Sequence, residues 1–156
     1  MKNWIFPILL LAILPLSCRD VDNPLIDTEY PEITVMDDSF PLQCSVFQRG
    51  TTAEFKAYFS DNKELGSFSL DIHHNFDHHT HSTEVNDCSN QDPKKSPVNP
   101  LLLIQTFSIP EGLTTFVGTA EIDIPEDIDP GDYHFMIRLT DHEGWQTLKG
   151  LSIKIQ

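Results

Sequence analysis

Asp129-Pro130-Gly131-Asp132-Tyr133-His134-Phe135-Met136-Ile137-Arg138-Leu139-Thr140 is the stretch on which the fold reading turns. Tyr133, Phe135, Ile137 and Leu139 alternate with His134, Met136, Arg138 and Thr140. Successive side chains of a strand point to opposite faces, so a period of two marks a strand with one apolar face. Downstream, Gly144 turns the chain, and Leu151, Ile153 and Ile155 resume the alternation. Upstream, Phe116 to Ile124 is strand-like and closed by Pro125, and Leu101 to Ile109 is apolar and ended by Pro110-Glu111-Gly112. Phe68, Leu70 and Ile72 alternate with Ser69, Asp71 and His73. Phe55, Ala57 and Phe59 alternate with Lys56 and Tyr58 and stop at Ser60-Asp61-Asn62, and Glu32 to Met36 makes a short first strand. These seven short runs, with turn residues between them and no sustained 3.6-residue apolar period, predict an all-β chain folded as a sandwich of two antiparallel sheets.

The pattern Asp129-x-Gly131-x-Tyr133 resembles the tyrosine corner of immunoglobulin-like domains, where a Tyr near the start of the sixth strand turns its hydroxyl back to upstream backbone. Leu139 to Trp145 (LTDHEGW) resembles the hairpin that follows it in such domains. The expectation is one immunoglobulin-like β-sandwich of about seven antiparallel strands over residues 32–156.

The N-terminal end reads differently. Met1-Lys2-Asn3 is a short positive start, and Trp4 to Leu16 is almost wholly apolar. That run is too short for a spanning helix, which needs roughly 20 residues, and has the length of a signal-peptide core. Leu14-Pro15-Leu16-Ser17-Cys18 resembles a bacterial lipobox, with Pro15 standing where a Leu is usual. The expected organisation is a signal peptide over 1–17, Cys18 as the lipidated end, and residues 18–31 as anchor and flexible tether. Acyl chains would hold the domain at a membrane face, each buried methylene contributing about 0.8 kcal/mol. The chain is placed in the cell envelope, at the outer membrane, facing either the periplasm or the surface.

Loss of Lys2 with the leader leaves 24 acidic residues against 9 basic ones, a net charge near −15. Such a surface repels nucleic acid and attracts cations. Cys44 and Cys88 remain as an even pair in a compartment that permits disulfides; the alternative is two free thiols.

His73-His74-Asn75-Phe76-Asp77-His78-His79-Thr80-His81 holds five histidines in nine residues. Imidazole is the commonest protein ligand for Zn²⁺, Cu²⁺ and Ni²⁺, and His-rich tracts read as metal sites for that reason. Parity sharpens the choice. With Phe68, Leu70 and Ile72 turned to the core, Asp71 and His73 point out; with Tyr133 and Phe135 inward, His134 points out. The third and sixth strands of an immunoglobulin-like sheet are antiparallel neighbours, so His73 and His134 should meet on one outer face. His79 and His81 are two apart and share a side in an extended loop. The expected ligand set is His73, His79, His81 and His134. Asp77 would serve as an oxygen ligand or as an acceptor that orients a ring, and His74 and His78 are the next candidates. The alternative is a hydrated surface loop with Phe76 as its apolar anchor. Only neutral imidazole binds a metal, and with a reference pKa near 6.5 affinity should fall below about pH 6. Ser82 to Pro100 is the longest irregular stretch, and a Cys44–Cys88 bridge would tie it to the body.

Three features together, namely the lipobox, the H-x-x-F-D-x-H-x-H segment (His73, Phe76, Asp77, His79, His81) and GDYHFMIRLTDHEGWQTLKGLSIKI (131–155), resemble the DUF4625 family of Bacteroidetes lipoproteins. The resemblance covers about residues 30–156 and implies an exported immunoglobulin-like domain. It also ranks His78 below His79 and His81, because the family motif varies at that position. It implies no activity.

On these grounds the expected function is a non-enzymatic envelope lipoprotein that captures, buffers or delivers a divalent transition metal. Its partner would be an outer-membrane transporter or another envelope protein. Zn²⁺ is the first choice, with Cu²⁺, Ni²⁺ and iron as alternatives. The competing reading is a module for adhesion or protein interaction. No G-x-S-x-G elbow, P-loop or H-E-x-x-H motif occurs, which argues against an enzyme.

Overall fold

The computed structural model describes residues 27–80 and 88–156. The expected signal peptide, Cys18, the first part of the tether and His81 lie outside the described residues. Eight strands follow in chain order: β1 (Glu32–Thr34), β2 (Val46–Phe47), β3 (Thr51–Ser60), β4 (Leu65–His74), β5 (Leu103–Ser108), β6 (Thr115–Ile124), β7 (Gly131–Asp141) and β8 (Gln146–Ile155). They form a three-stranded sheet in the order β1-β3-β6 and a five-stranded sheet in the order β2-β8-β7-β4-β5. All pairings are antiparallel except β2 with β8, which is parallel. The sequence expectation of seven strands omits β2, whose two residues are too few to show a period.

Alternation explains the sandwich. Phe55, Ala57 and Phe59 of β3 face Phe68, Leu70 and Ile72 of β4 and Tyr133, Phe135, Ile137 and Leu139 of β7, and all are buried. A chain of rings crosses between the sheets, with Phe55 centred 5.8 Å from Phe135 and 5.9 Å from Phe68. Burying each such ring contributes about 1.5–3 kcal/mol. Gly118 of β6 lies under this cluster, where a Cβ would stand 2.3 Å from the Phe59 ring. Only glycine lets β6 approach that closely.

The body of the domain begins before Glu32. Asp27 is buried, Trp145 Nε1 donates to its carbonyl at 2.8 Å, and Thr147 Oγ1 donates to the Pro31 carbonyl at 2.5 Å. Residues 27–31, expected as the end of a tether, are packed against the β7–β8 hairpin because Trp145 and Tyr30 meet edge to face, 5.0 Å apart.

The start of β7 carries the corner read from the sequence. Tyr133 Oη donates to the Asp129 carbonyl at 2.6 Å and accepts from Leu101 N at 3.2 Å. The long connection between β4 and β5 lies against this corner. Asn75 N donates to Asp132 O, Lys95 N to Phe76 O, and Val98 N and Asn99 N to Asp129 Oδ2. Phe76 is buried edge-on against Tyr133 at 5.3 Å, with Lys95 Nζ above its ring at 4.2 Å. Cys44 and Cys88 are bridged, with Cα atoms 5.6 Å apart, which pins the connection to the segment before β2.

Candidate metal centre

β4 extends through His74, so His73 and His74 belong to the strand, and the inserted loop starts at Asn75 rather than at His73. β4 and β7 run antiparallel with His73 directly opposite His134. Their rings are centred 5.3 Å apart on the outer face of the five-stranded sheet. The loop then folds back over this face. His79 comes to 4.8 Å from the His134 ring and 5.7 Å from the His73 ring. One ligand nitrogen from each of His73, His79 and His134 lies within 4.8 Å of the other two. A tetrahedral ion bound at about 2.0–2.1 Å holds its nitrogens about 3.4 Å apart, a separation within that bound.

The hydrogen bonds fix how each ring presents itself. A carboxylate only accepts, so His73 Nδ1 donates to Asp71 Oδ1 and His79 Nδ1 donates to Asp77 Oδ1, each at 2.6 Å. In the neutral rings this tautomer puts the lone pair on Nε2, in the carboxylate–histidine arrangement that orients and strengthens metal-binding imidazoles. His134 is reversed. Its Nε2 donates to the His79 carbonyl at 3.2 Å, which puts the lone pair on Nδ1. The His79 imidazole in turn holds the Asp77 carboxyl below the usual carboxylate range.

The other expected ligands go elsewhere. His74 follows His73 in a strand, so its ring points to the opposite side and packs on Phe76 at 4.9 Å. His78 adopts a left-handed backbone (φ 58°) that turns its ring away, and its Nε2 donates to the Asp92 carbonyl at 2.9 Å. Asp77 serves as the acceptor that orients His79. His134, expected on a solvent-facing position, is fully buried because the loop covers it. Asp71, which accepts from His73, is absent from the ligand set expected from the sequence, although strand parity placed it on the same face as His73. On the open side, a groove of about 270 Å³ leads from Asp71 and His73 over Met136 and Arg138, between Ile104 and Leu148.

Comparison with known proteins gives a consistent fold. No curated protein matches the chain. Among solved structures, a DUF4466 family protein from Parabacteroides merdae is similar, with a TM-score of 0.51 at 13% sequence identity. The alignment covers 83% of this chain and 46% of that protein, so the chain spans about half the length of its structural relative. The family model described as "Domain of unknown function (DUF4625)" matches residues 16–156. That span takes in all eight strands, the bridged cysteines and the histidine loop, and the chain belongs to the DUF4625 family.

Proposed function

We propose that this chain is a lipid-anchored domain of the cell envelope that binds a divalent transition metal, Zn²⁺ first, through His73, His79 and His134. The observation that carries the reading is the pair of carboxylate-oriented imidazoles, His73 on Asp71 and His79 on Asp77, converging with His134. A hydrated surface loop would gain nothing from two rings held in the same tautomer toward one point. Three imidazoles leave room for a further ligand, from His81 or from a partner to which the ion is delivered. The lipobox resemblance at Cys18 supports the anchor. The sheet order and the Tyr133 corner support an immunoglobulin-like assignment for the sandwich. The role is capture, buffering or hand-over to an envelope partner such as an outer-membrane transporter, with no catalytic step.

Metal analysis of protein purified without a histidine tag, followed by calorimetric titration with Zn²⁺, tests this. Stoichiometric binding that disappears in a His73→Ala/His79→Ala variant is the expected result. Unchanged micromolar binding in that variant would remove the site. The interaction-module reading draws on the exposed apolar residues Leu102 and Ile104 at edge strand β5. A partner retained in pull-downs after both chelation and the histidine replacements would favour it.

A further inference from the structure

At the other end of the sandwich, three aspartates from distant parts of the sequence meet. Asp27 precedes β1, Asp61 lies in the β3–β4 turn and Asp141 ends β7. A carboxylate oxygen from each lies within 4.8 Å of the other two. Asp27 and Asp141 are each only 3% exposed. Like charges gathered this closely out of water repel, so the fold must compensate for them.

The hydrogen bonds show what each carboxylate does. Asp27 Oδ1 accepts from Glu29 N at 3.0 Å and Asn62 Nδ2 at 2.9 Å. Asp61 Oδ2 accepts from Lys63 N and Glu64 N, both at 2.8 Å. Asp141 Oδ1 accepts from Gly144 N at 2.6 Å and Trp145 N at 2.7 Å. One oxygen of each residue thus holds a turn. The second oxygen of each, Asp27 Oδ2, Asp61 Oδ1 and Asp141 Oδ2, is buried with no hydrogen-bond partner among the described residues. An orphaned buried carboxylate oxygen is costly, and three in one cluster call for a common partner.

We propose that Asp27, Asp61 and Asp141 form a site for a hard divalent cation, Ca²⁺, that clamps the N-terminal segment to the β3–β4 and β7–β8 turns. All-oxygen donors select a hard ion over zinc or copper. Ca²⁺ takes oxygen ligands in flexible geometry, whereas Mg²⁺ demands a near-ideal octahedron that three carboxylates already holding turns do not offer. Ca²⁺ takes six to eight oxygens, so water would fill the positions that the three carboxylates do not. Lys63 is the cation whose field reaches Asp27, and it also lies 4.0 Å from Glu143. Among the described residues, one lysine against three carboxylates leaves most of the negative charge uncompensated. Bound ion would stiffen the junction at which the tether enters the domain.

The full chain, treated with chelator and then titrated with CaCl₂ and separately with Tb³⁺, tests the site. Wild type should show a calcium-dependent rise in Tm at about 10⁻⁴–10⁻³ M, and terbium emission sensitised by the adjacent Trp145 and displaced by Ca²⁺. Asp61→Asn keeps an oxygen for the turn amides and removes one repelling charge. It should melt at or above the wild-type temperature in chelator while losing at least tenfold in calcium affinity. Asp27→Asn, on a terminal segment, gives the same readout should Asp61→Asn fail to fold. No calcium response and no sensitised terbium emission in wild type would overturn the proposal, and so would a wild-type response in the folded variants.

Discussion

His134 occupies a position that strand parity assigns to the outer face, yet none of its surface is exposed. Its ring is enclosed by His73 across the strand pair and by the returning loop, whose His79 carbonyl accepts a hydrogen bond from its Nε2. A buried imidazole held in one tautomer is pre-organised, since the ring need not be oriented when a ligand arrives. Asp71 does the same for His73 from a half-exposed position on the same strand face. Asp71→Asn should therefore lower zinc affinity by about 10–100-fold while leaving Tm nearly unchanged, because a half-exposed residue of this kind holds little of the fold. Paired calorimetric and thermal titrations check it, and an equal loss of stability would reassign Asp71 to a structural role.

At the scale of elements, the start of β7 organises the loop that carries His79. Tyr133 Oη joins the Asp129 carbonyl to the Leu101 amide, so Tyr133→Phe leaves both without that partner in a buried site. The expected cost is about 1–3 kcal/mol in urea unfolding. Asp129 Oδ2 accepts from Val98 N and Asn99 N, and these amides hold its carboxyl below the ordinary 3.8. A depressed folded value means that its contribution is complete above about pH 4 and is lost as pH falls through the depressed value. Asp129→Asn should accordingly be less stable than wild type at neutral pH, and the gap should close in acid; Tm measured across the acid range reads this directly. Elements of this kind were partly legible in the sequence. Alternation over five or more residues exposed β3, β4, β7 and β8, a strand-like run closed by Pro125 marked β6, and parity alone brought His73 beside His134. Val46–Phe47 could not be read because two residues carry no period. The turning away of His78 and the covering of His134 depend on a loop path set by Phe76, Lys95 and Cys88, contacts that no local pattern encodes. Asp27, Asp61 and Asp141 were invisible for the same reason: only the sheet topology joins them.

For the molecule as a whole, the two candidate cation centres stand at opposite ends of β7. His134 and Asp141 are seven residues apart, about 23 Å at the rise of a strand. The N-terminal segment enters at the aspartate end, through Asp27. A chain anchored at Cys18 would thus present its histidines at the end away from the attachment. Sites separated by more than about 10 Å with no shared ligand act independently on stability. Each ion that binds only the folded state adds its own increment, about 2.7 kcal/mol at a hundred times its Kd. Saturating Zn²⁺ and Ca²⁺ together should therefore stabilise the chain by the sum of their separate effects. Asp61→Asn should cut the calcium increment by about half or more and leave the zinc increment whole, and His79→Ala should do the reverse. Denaturant unfolding with each ion alone and with both measures the two terms. A combined effect no larger than the greater single one would mean that both ions compete for one centre, and the division of the acidic and imidazole groups into two sites would fail.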